Sequence, residues 1–264
     1  MLAISMENSL KISLIQTDTI WESIDRNLDQ IDRKTEKLGH DTDLILLPEL
    51  FSTGFTMEAA KIAESMDGKA VKWMKEKARS LDCLVMGSLV IKENDFFYNR
   101  LVTAFPNGNL LHYDKRHLFS YAGEDKVFKA GEERLVFSYK GFRICPLICY
   151  DLRFLVWSRN TEDIDLLIYV ANWPDARMTA WDTLLKARAI ENLCYVAAVN
   201  RVGVDNNKLN YTGHSAVYDA MGNTVMNLKT GEEAMGSVTI ETSHIQQVRS
   251  QFRFLEDRDE FEIR

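Results

Sequence analysis

Three residues of this sequence stand out because of their chemistry and position: Glu49, Lys115 and Cys149. Each lies at or just beyond the end of an apolar, strand-like run. A cysteine can act as a nucleophile, a carboxylate as the base that takes its proton, and a lysine as the cation that holds a developing oxyanion. Together the three residue types predict a site for thiol-dependent acyl transfer.

Each residue taken alone has an ordinary structural interpretation. A carboxylate directly after an apolar run, such as Glu49, loses hydration and by itself is more often a structural ion pair or a cap. Lys115 alone would be a solvated surface lysine, and a buried cysteine is usually inert packing. The prediction of a site therefore depends on the three residues meeting in space.

The ends of the most apolar strands give the reason to expect such a meeting. In open α/β sheets, ligands bind outside the carboxyl ends of the strands, where side chains converge. Residues 44–47 run into Pro48-Glu49, residues 143–148 into Cys149-Tyr-Asp151, and residues 166–171 into Asn172-Trp-Pro174. We expect these polar groups to share one site.

The elements that must position these groups form an α/β pattern. Short β-rich runs are predicted at residues 11–16, 44–47, 84–91, 143–148, 166–171, 195–199 and 215–218. Apolar residues at helical spacing predict helices at residues 24–31, 71–81, 177–192 and 245–252. Turn signals at Phe105-Pro-Asn-Gly-Asn109, Tyr139-Lys-Gly141 and Ala220-Met-Gly-Asn223 indicate hairpins, so the sheet should contain both parallel and antiparallel pairs.

Length and composition favour one globular domain over residues 1–264. The chain is 46% hydrophobic and 27% charged, and no Pro/Gly/Ser-rich linker or repeat divides it. A net charge of -7 disfavours nucleic-acid binding. The opening MLAISMENS lacks the features of a signal peptide, and no apolar run approaches the ~18 residues of a membrane helix. We expect a soluble, cytoplasmic protein.

The four cysteines give no sign of a disulfide framework or a metal centre. Cys83, Cys145, Cys149 and Cys194 lie in apolar segments, without C-x-x-C pairs or the Cys/His spacing of zinc sites. Three of them are expected to be structural. Cys149 differs because it stands between a buried strand and the acidic step Tyr150-Asp151, where a sharp turn would expose its sulfur.

Three segments around these residues resemble the signature segments of the carbon–nitrogen hydrolase (nitrilase) superfamily, in the same order. They are Leu47-Pro-Glu-Leu-Phe51, Tyr113-Asp-Lys-Arg-His-Leu-Phe119 and Leu147-Ile-Cys-Tyr-Asp-Leu-Arg-Phe154. The resemblance extends from the opening strand with Gln16 to Gly213-His-Ser215. It implies a four-layer α–β–β–α sandwich that pairs into a homodimer or a larger homo-oligomer and needs no metal or organic cofactor.

The resemblance also implies roles for individual residues. Glu49 would be the general base, Lys115 the cation for the oxyanion and Cys149 the nucleophile. Family members often carry a second glutamate shortly after the lysine. Glu124, nine residues beyond Lys115, would position this lysine and the substrate amide. The alternative interpretation is that Glu124 is an ordinary charged residue in a loop.

Within the superfamily, the sequence looks most like the ω-amidase branch, whose substrates are α-keto acid ω-amides such as 2-oxoglutaramate. The segments that carry this likeness are Cys149-Tyr-Asp-Leu-Arg-Phe154 and Ala171-Asn-Trp-Pro174. True nitrilases usually have a tryptophan and a glutamate after the cysteine, where this chain has Tyr150 and Asp151. The difference favours amides over nitriles, although other small amides and nitriles remain alternatives.

A keto-acid substrate carries a carboxylate that needs a cation. Candidates are Arg116, Arg153, Arg177 and Arg201, with Arg153 preferred because it follows Cys149 by four residues. Tyr150, Asn172 and Trp173 are the other predicted substrate-binding residues. An aromatic residue after an apolar strand is nevertheless more often packed in the core.

Two other functions are compatible with the sequence. A papain-like enzyme would use Cys149 with His117 and Asn172, because a Cys–His pair is the commoner way to make a thiolate. A non-catalytic protein would use the fold only for binding. The other histidines are isolated and are expected to be ordinary surface or core residues: His40, His112, His214 and His244.

Overall fold

The computed structural model describes residues 8–38 and 40–262. Gly39, the first seven residues and the last two lie outside the described residues, whereas His40 is described and exposed, as expected of a surface histidine. In the described part of the chain, no helix is both long enough and apolar enough to cross a bilayer.

The described residues form fourteen strands, most of them short. They are β1 (Ser9–Gln16), β2 (Leu44–Leu46), β3 (Leu84–Glu93), β4 (Phe96–Ala104), β5 (Leu110–Asp114), β6 (Phe137–Tyr139), β7 (Phe142–Ile148), β8 (Leu166–Ala171), β9 (Tyr195–Asn200), β10 (Val202–Val204), β11 (Asn210–Thr212), β12 (Ala216–Tyr218), β13 (Thr224–Asn227) and β14 (Ala234–Glu241).

The same residues form six α-helices and several 3₁₀ turns. The helices are α1 (Ile24–Thr35), α2 (Ala59–Ile62), α3 (Lys69–Leu81), α4 (Leu155–Ser158), α5 (Met178–Asn192) and α6 (Thr242–Phe252). The 3₁₀ turns are Ser120–Ala122, Glu124–Lys126, Cys149–Arg153, Asp175–Arg177 and Phe254–Asp257.

Two six-stranded sheets make up the body of the fold, in the orders β14-β1-β2-β3-β4-β5 and β13-β12-β9-β8-β7-β6. The pairs β1–β2, β2–β3, β7–β8 and β8–β9 are parallel, and the other neighbours within the two sheets are antiparallel. Both sheets are therefore mixed, as predicted. A separate hairpin pairs β10 with β11.

The alternation of side chains across the first sheet divides the core into layers. In β2, Leu44 and Leu46 pack in a cluster with residues of the second sheet, whereas Ile45 packs with α1 and α3 on the outer face. On the far side, Trp181 and Leu185 of α5 pack against the second sheet. The layers are helix, sheet, sheet and helix, which confirms the predicted sandwich.

The central strands of the second sheet explain the uninterrupted apolar run in the sequence. All six residues of β8 are buried, because a parallel strand covered on both faces has no solvent side. Strand β14 lacks this signal. It lies at a sheet edge with most of its residues partly or fully exposed, and the sequence pattern did not predict it.

The predicted helices agree with the structure apart from their ends. The helix predicted at 177–192 begins one residue later, at Met178, because the 3₁₀ turn Asp175–Arg177 precedes it. The helix predicted at 245–252 begins three residues earlier, at Thr242. The three predicted hairpins join β4 to β5, β6 to β7 and β12 to β13.

Shortening a side chain between the two sheets should destabilise the fold. Leu46 is fully buried in the shared core, so Leu46→Ala should lower the free energy of unfolding by about 2–5 kcal/mol. Urea denaturation measures this change. The exposed Lys72 on α3 provides the control, since Lys72→Ala should change it by less than about 0.5 kcal/mol. Equal losses in both variants would contradict the assignment of Leu46 to the core.

Candidate active site

A tight turn after β2 presents Glu49 to the interior. The next residue, Leu50, has a φ of +45°, and its N–H donates to Ser88 Oγ at 2.8 Å. The Glu49 side chain is fully buried. Asn172 holds it from the end of β8: the Asn172 N–H donates to Glu49 Oε2 at 2.8 Å, and Asn172 Nδ2 donates to the Glu49 carbonyl at 2.5 Å.

Lys115 follows β5 and places a buried ammonium between two carboxylates. Its Nζ donates to Glu49 Oε1 at 2.8 Å and to Glu124 Oε1 and Oε2 at 3.0 and 2.9 Å. Burial alone would lower the pKa of Lys115, but the charges of Glu124 and Glu49 outweigh it and raise the pKa above its usual value. The amine therefore stays positively charged.

Glu124 is a buried partner of Lys115 and not a solvated loop charge. It begins the 3₁₀ turn Glu124–Lys126 and is fully buried. Its Oε2 also accepts the Phe119 N–H at 2.6 Å. Burial raises the pKa of Glu124; the Lys115 ammonium opposes this rise and the Glu49 carboxylate adds to it. The two glutamates thus compete for one cation.

Cys149 stands at the start of the 3₁₀ turn after β7, with a φ of +44° that is unusual for a residue with a side chain. Its Sγ lies 3.9 Å from the Asn172 carbonyl oxygen, and the thiol interacts electrostatically with Glu49 and Lys115. Burial and the negative charge of Glu49 raise the pKa of Cys149 well above its usual value, although Lys115 opposes them. The resting group is a thiol, so a base must take its proton before it can attack.

Asp151 ties the Cys149 turn to the Lys115 segment. Its fully buried carboxylate accepts the Ile148 N–H at 3.0 Å, the Tyr113 hydroxyl at 2.7 Å and the His117 N–H at 3.0 Å. These donors come from both sides of the site. In the sequence this residue was notable as a difference from nitrilases. In the structure its hydrogen bonds connect a strand of the first sheet to a strand of the second.

His117 has a different environment from that of a cysteine-activating base. Its Nδ1 lies 2.8 Å from Asp151 Oδ1, and its ring stacks on Phe154 with the centroids 3.6 Å apart. Cys149 instead lies against Glu49 and Asn172. The arrangement favours a Glu–Cys pair over the papain-like Cys–His pair.

A pocket opens over Lys115 and Cys149. Its lining comprises Phe55, Lys115, Phe119, Ala122, Cys149, Tyr150, Arg153, Asn172, Trp173, Pro174, Arg177, Asp205, Asn207, Leu209 and Tyr211. All four predicted substrate-binding residues are in this set. The residues from Asp205 to Tyr211 belong to the β10–β11 hairpin and its turn, which the sequence analysis did not connect with the site.

The four arginines considered for a carboxylate clamp separate into two groups. Arg153 lies over the Trp173 ring and Arg177 over the Phe119 ring, both in the pocket. Neither forms an ion pair with a carboxylate of residues 8–38 or 40–262. The other two are used elsewhere: Arg201 is buried and paired with Asp18 at 2.6 Å, and Arg116 donates to the Gly131 carbonyl at 3.1 Å.

Asn99 is a site residue that the sequence analysis missed. It lies in the middle of β4, fully buried, and its Nδ2 donates to Glu49 Oε1 at 2.8 Å and to Glu124 Oε1 at 3.0 Å. The only signal in the sequence is a polar residue inside an apolar strand. The described residues contain no group of three His, Cys, Asp or Glu side chains placed to hold a metal ion.

Comparison with known proteins agrees with this geometry. Residues 11–250 match the carbon–nitrogen hydrolase family model. The chain is similar to the ω-amidase YafV of Yersinia enterocolitica, with 42% identity over 96% of this chain and 98% of the relative, and to the 2-oxoglutaramate amidase of Bacillus subtilis, with 34% identity over 80% and 83%. A solved carbon–nitrogen hydrolase superfamily protein of Xanthomonas campestris, with an arsenic adduct in its active site, superposes with a TM-score of 0.95 at 44% identity over 97% and 99% of the two chains.

One cysteine should react selectively in the folded protein. Cys83, Cys145 and Cys194 are fully buried, and burial raises the pKa of each thiol to about 12, whereas Cys149 lines the pocket beside a base. Limited iodoacetamide treatment should therefore add one label, which peptide mass spectrometry would place on Cys149. Cys149→Ser should take up no label and Cys194→Ala one. Labelling of the other cysteines at a comparable rate would contradict this environment.

Proposed function

The chain belongs to the carbon–nitrogen hydrolase family, and we propose that it is an ω-amidase that hydrolyses α-keto acid ω-amides such as 2-oxoglutaramate to the acid and ammonia. Relatives named for ω-amidase and 2-oxoglutaramate amidase activities support this assignment. So does the meeting of the Cys149 thiol, the Glu49 carboxylate and the Lys115 ammonium at one pocket. This combination carries the proposal because thiol-dependent acyl transfer needs all three groups.

In the first half of the reaction, Glu49 takes the thiol proton of Cys149 as the sulfur attacks the amide carbonyl. The thiol does not ionise unaided, because its pKa is raised well above neutrality, so proton transfer and attack are coupled. Lys115 and the backbone N–H of Tyr150 would hold the oxyanion. When the intermediate collapses, the C–N bond breaks, the proton on Glu49 passes to the leaving nitrogen, and ammonia departs from a thioester.

The second half consumes one water molecule. Glu49, ionised again, takes a proton from water while the oxygen attacks the thioester carbonyl. Lys115 holds the second oxyanion, the C–S bond breaks, and the sulfur recovers its proton from Glu49. The balance is one amide and one water converted into one carboxylic acid and one ammonia. No step requires a redox partner or a cofactor, and we expect none.

The pocket supplies groups for both ends of an α-keto acid ω-amide. Arg153 and Arg177 offer guanidinium groups that no described carboxylate neutralises, and we assign them to the substrate carboxylate. Asn172 Oδ1 is buried beside Cys149 and has no hydrogen-bond partner among the described residues. It would accept an N–H of the substrate amide. Tyr150 and Trp173 would form the walls between the two ends.

We further propose that residues 1–264 form a single carbon–nitrogen hydrolase domain that acts in the cytoplasm as a homodimer or a larger homo-oligomer. The family match over residues 11–250 supports the single domain. Leu155 and Val156 on α4, directly after the Cys149 turn, are 47% and 51% exposed, which supports burial of this helix against a second copy.

Removal of the nucleophile should abolish turnover without unfolding the protein. Cys149→Ser should release no ammonia from 2-oxoglutaramate in a coupled assay, because a serine hydroxyl beside Glu49 is a far weaker nucleophile. Lys115→Arg should also lose most activity, since a planar fork does not replace a point charge. The control Cys194→Ala should keep its activity. Retained turnover in Cys149→Ser, with circular dichroism unchanged, would overturn the proposal.

The carboxylate clamp makes a prediction about substrate selectivity. Arg153→Ala and Arg177→Ala should each raise KM for 2-oxoglutaramate about 10–100-fold, as expected for the loss of a charged hydrogen bond, and leave KM for an uncharged amide such as propionamide nearly unchanged. The exposed Arg79 serves as control, because Arg79→Ala should alter neither value. An equal change for both substrates would refute the clamp.

A further inference from the structure

We propose that Asn99 is a positioning residue of the hydrolytic site, which holds Glu49 and Glu124 together against Lys115. This inference rests on the proposed function only in treating Glu49 as the base that activates Cys149. Asn99 would not touch the substrate itself. It would act through the two carboxylates.

Asn99 contacts all three charged residues of the site. Its amide nitrogen donates one hydrogen bond to Glu49 Oε1 at 2.8 Å and another to Glu124 Oε1 at 3.0 Å. Its backbone carbonyl accepts the Lys115 N–H at 3.0 Å. These partners come from the end of β2, a 3₁₀ turn and the end of β5. A single residue of β4 therefore fixes the separation of groups that are remote from one another in the sequence.

The orientation of the Asn99 amide is dictated by these contacts. A flipped amide would point its carbonyl oxygen at two carboxylate oxygens, with no proton between them. In the observed orientation the nitrogen uses both of its protons, whereas Oδ1 is buried without a partner among the described residues. Buried side-chain oxygens without a partner are uncommon. Asn99 therefore contacts the site through its Nδ2 protons and its backbone carbonyl.

The need for a neutral donor at this point follows from the charges. Two buried carboxylates share the single ammonium of Lys115, so one cation does not neutralise both. Within the described residues, the charged or titratable groups facing the carboxylates are Lys115, Cys149 and the two carboxylates themselves. A hydrogen bond to an ionised carboxylate stabilises that form, and the Asn99 amide does this for both without adding a charge.

Removal of this donor should change the pH at which the base is available. Loss of a hydrogen bond to the ionised form raises a carboxyl pKa, so a higher pH is needed before Glu49 can take the thiol proton. The acidic limb of the pH–activity profile should therefore shift to higher pH. A merely structural role for Asn99 would reduce the amount of folded protein and leave the position of this limb unchanged.

The test measures the rate of Cys149 alkylation by iodoacetamide and kcat/KM for 2-oxoglutaramate, each against pH. Asn99→Leu keeps the branched shape of the side chain and removes the donor, and the acidic limb of its profile should move by about one unit or more to higher pH. Asn99→Asp places a third carboxylate at the same point and should move the limb further. Asn99→Asp also tests the inference if Asn99→Leu does not fold.

The matched control is Thr103→Val. Thr103 lies four residues further along β4, on the same face, and it is fully buried with an unpartnered hydroxyl among the described residues. Its variant should keep the wild-type profile. The inference would be overturned if both Asn99 variants kept the acidic limb at its wild-type pH, or if Thr103→Val shifted it equally. The alkylation profile remains informative even if 2-oxoglutaramate is not a substrate, so failure of the proposed function is distinguishable.

Discussion

The site depends on one buried ammonium shared by two buried carboxylates. Removing such charges from water is costly unless each receives hydrogen bonds in return. Here the Lys115 ammonium binds Glu49 Oε1 and both carboxylate oxygens of Glu124. Glu49 Oε2 accepts the Asn172 N–H, and Glu124 Oε2 accepts the Phe119 N–H in addition to the ammonium. These donors lie on loops that leave different strands. The charged cluster is therefore satisfied only when both sheets are in place, which makes the catalytic geometry a consequence of complete folding.

A second buried carboxylate sets the position of the sulfur relative to this cluster. Asp151 binds the end of β7 through Ile148, β5 through Tyr113 and the segment after β5 through His117. The positive φ of Cys149 is held between these contacts and the 3₁₀ turn that follows. Such backbone strain persists only where the surroundings determine the conformation. The sulfur is thus placed by the same packing that buries Lys115.

The groups proposed to select the substrate lie apart from this buried cluster. Arg153, Arg177 and the β10–β11 hairpin line the outer pocket, and the two arginines rest on aromatic rings. A thiol with a raised pKa is unreactive until a base takes its proton. In the proposed function, the inner cluster supplies reactivity that is general for amides, and the outer arginines supply recognition of the substrate carboxylate.

From the sequence alone one could predict most central strands and helices, because apolar periodicity is local. The sandwich class was implied by the resemblance to the carbon–nitrogen hydrolases, whose recognisable segments also contain Glu49, Lys115 and Cys149. Asn99 and the hairpin at the pocket could not be predicted. A polar residue in a buried strand acquires a role only through partners far away in the chain, and hairpin placement depends on packing that periodicity does not report. The sequence determined which chemistry was possible; the tertiary structure decided which carboxylates share the lysine and which arginines stay available, because burial and pairing are properties of the assembled sheets.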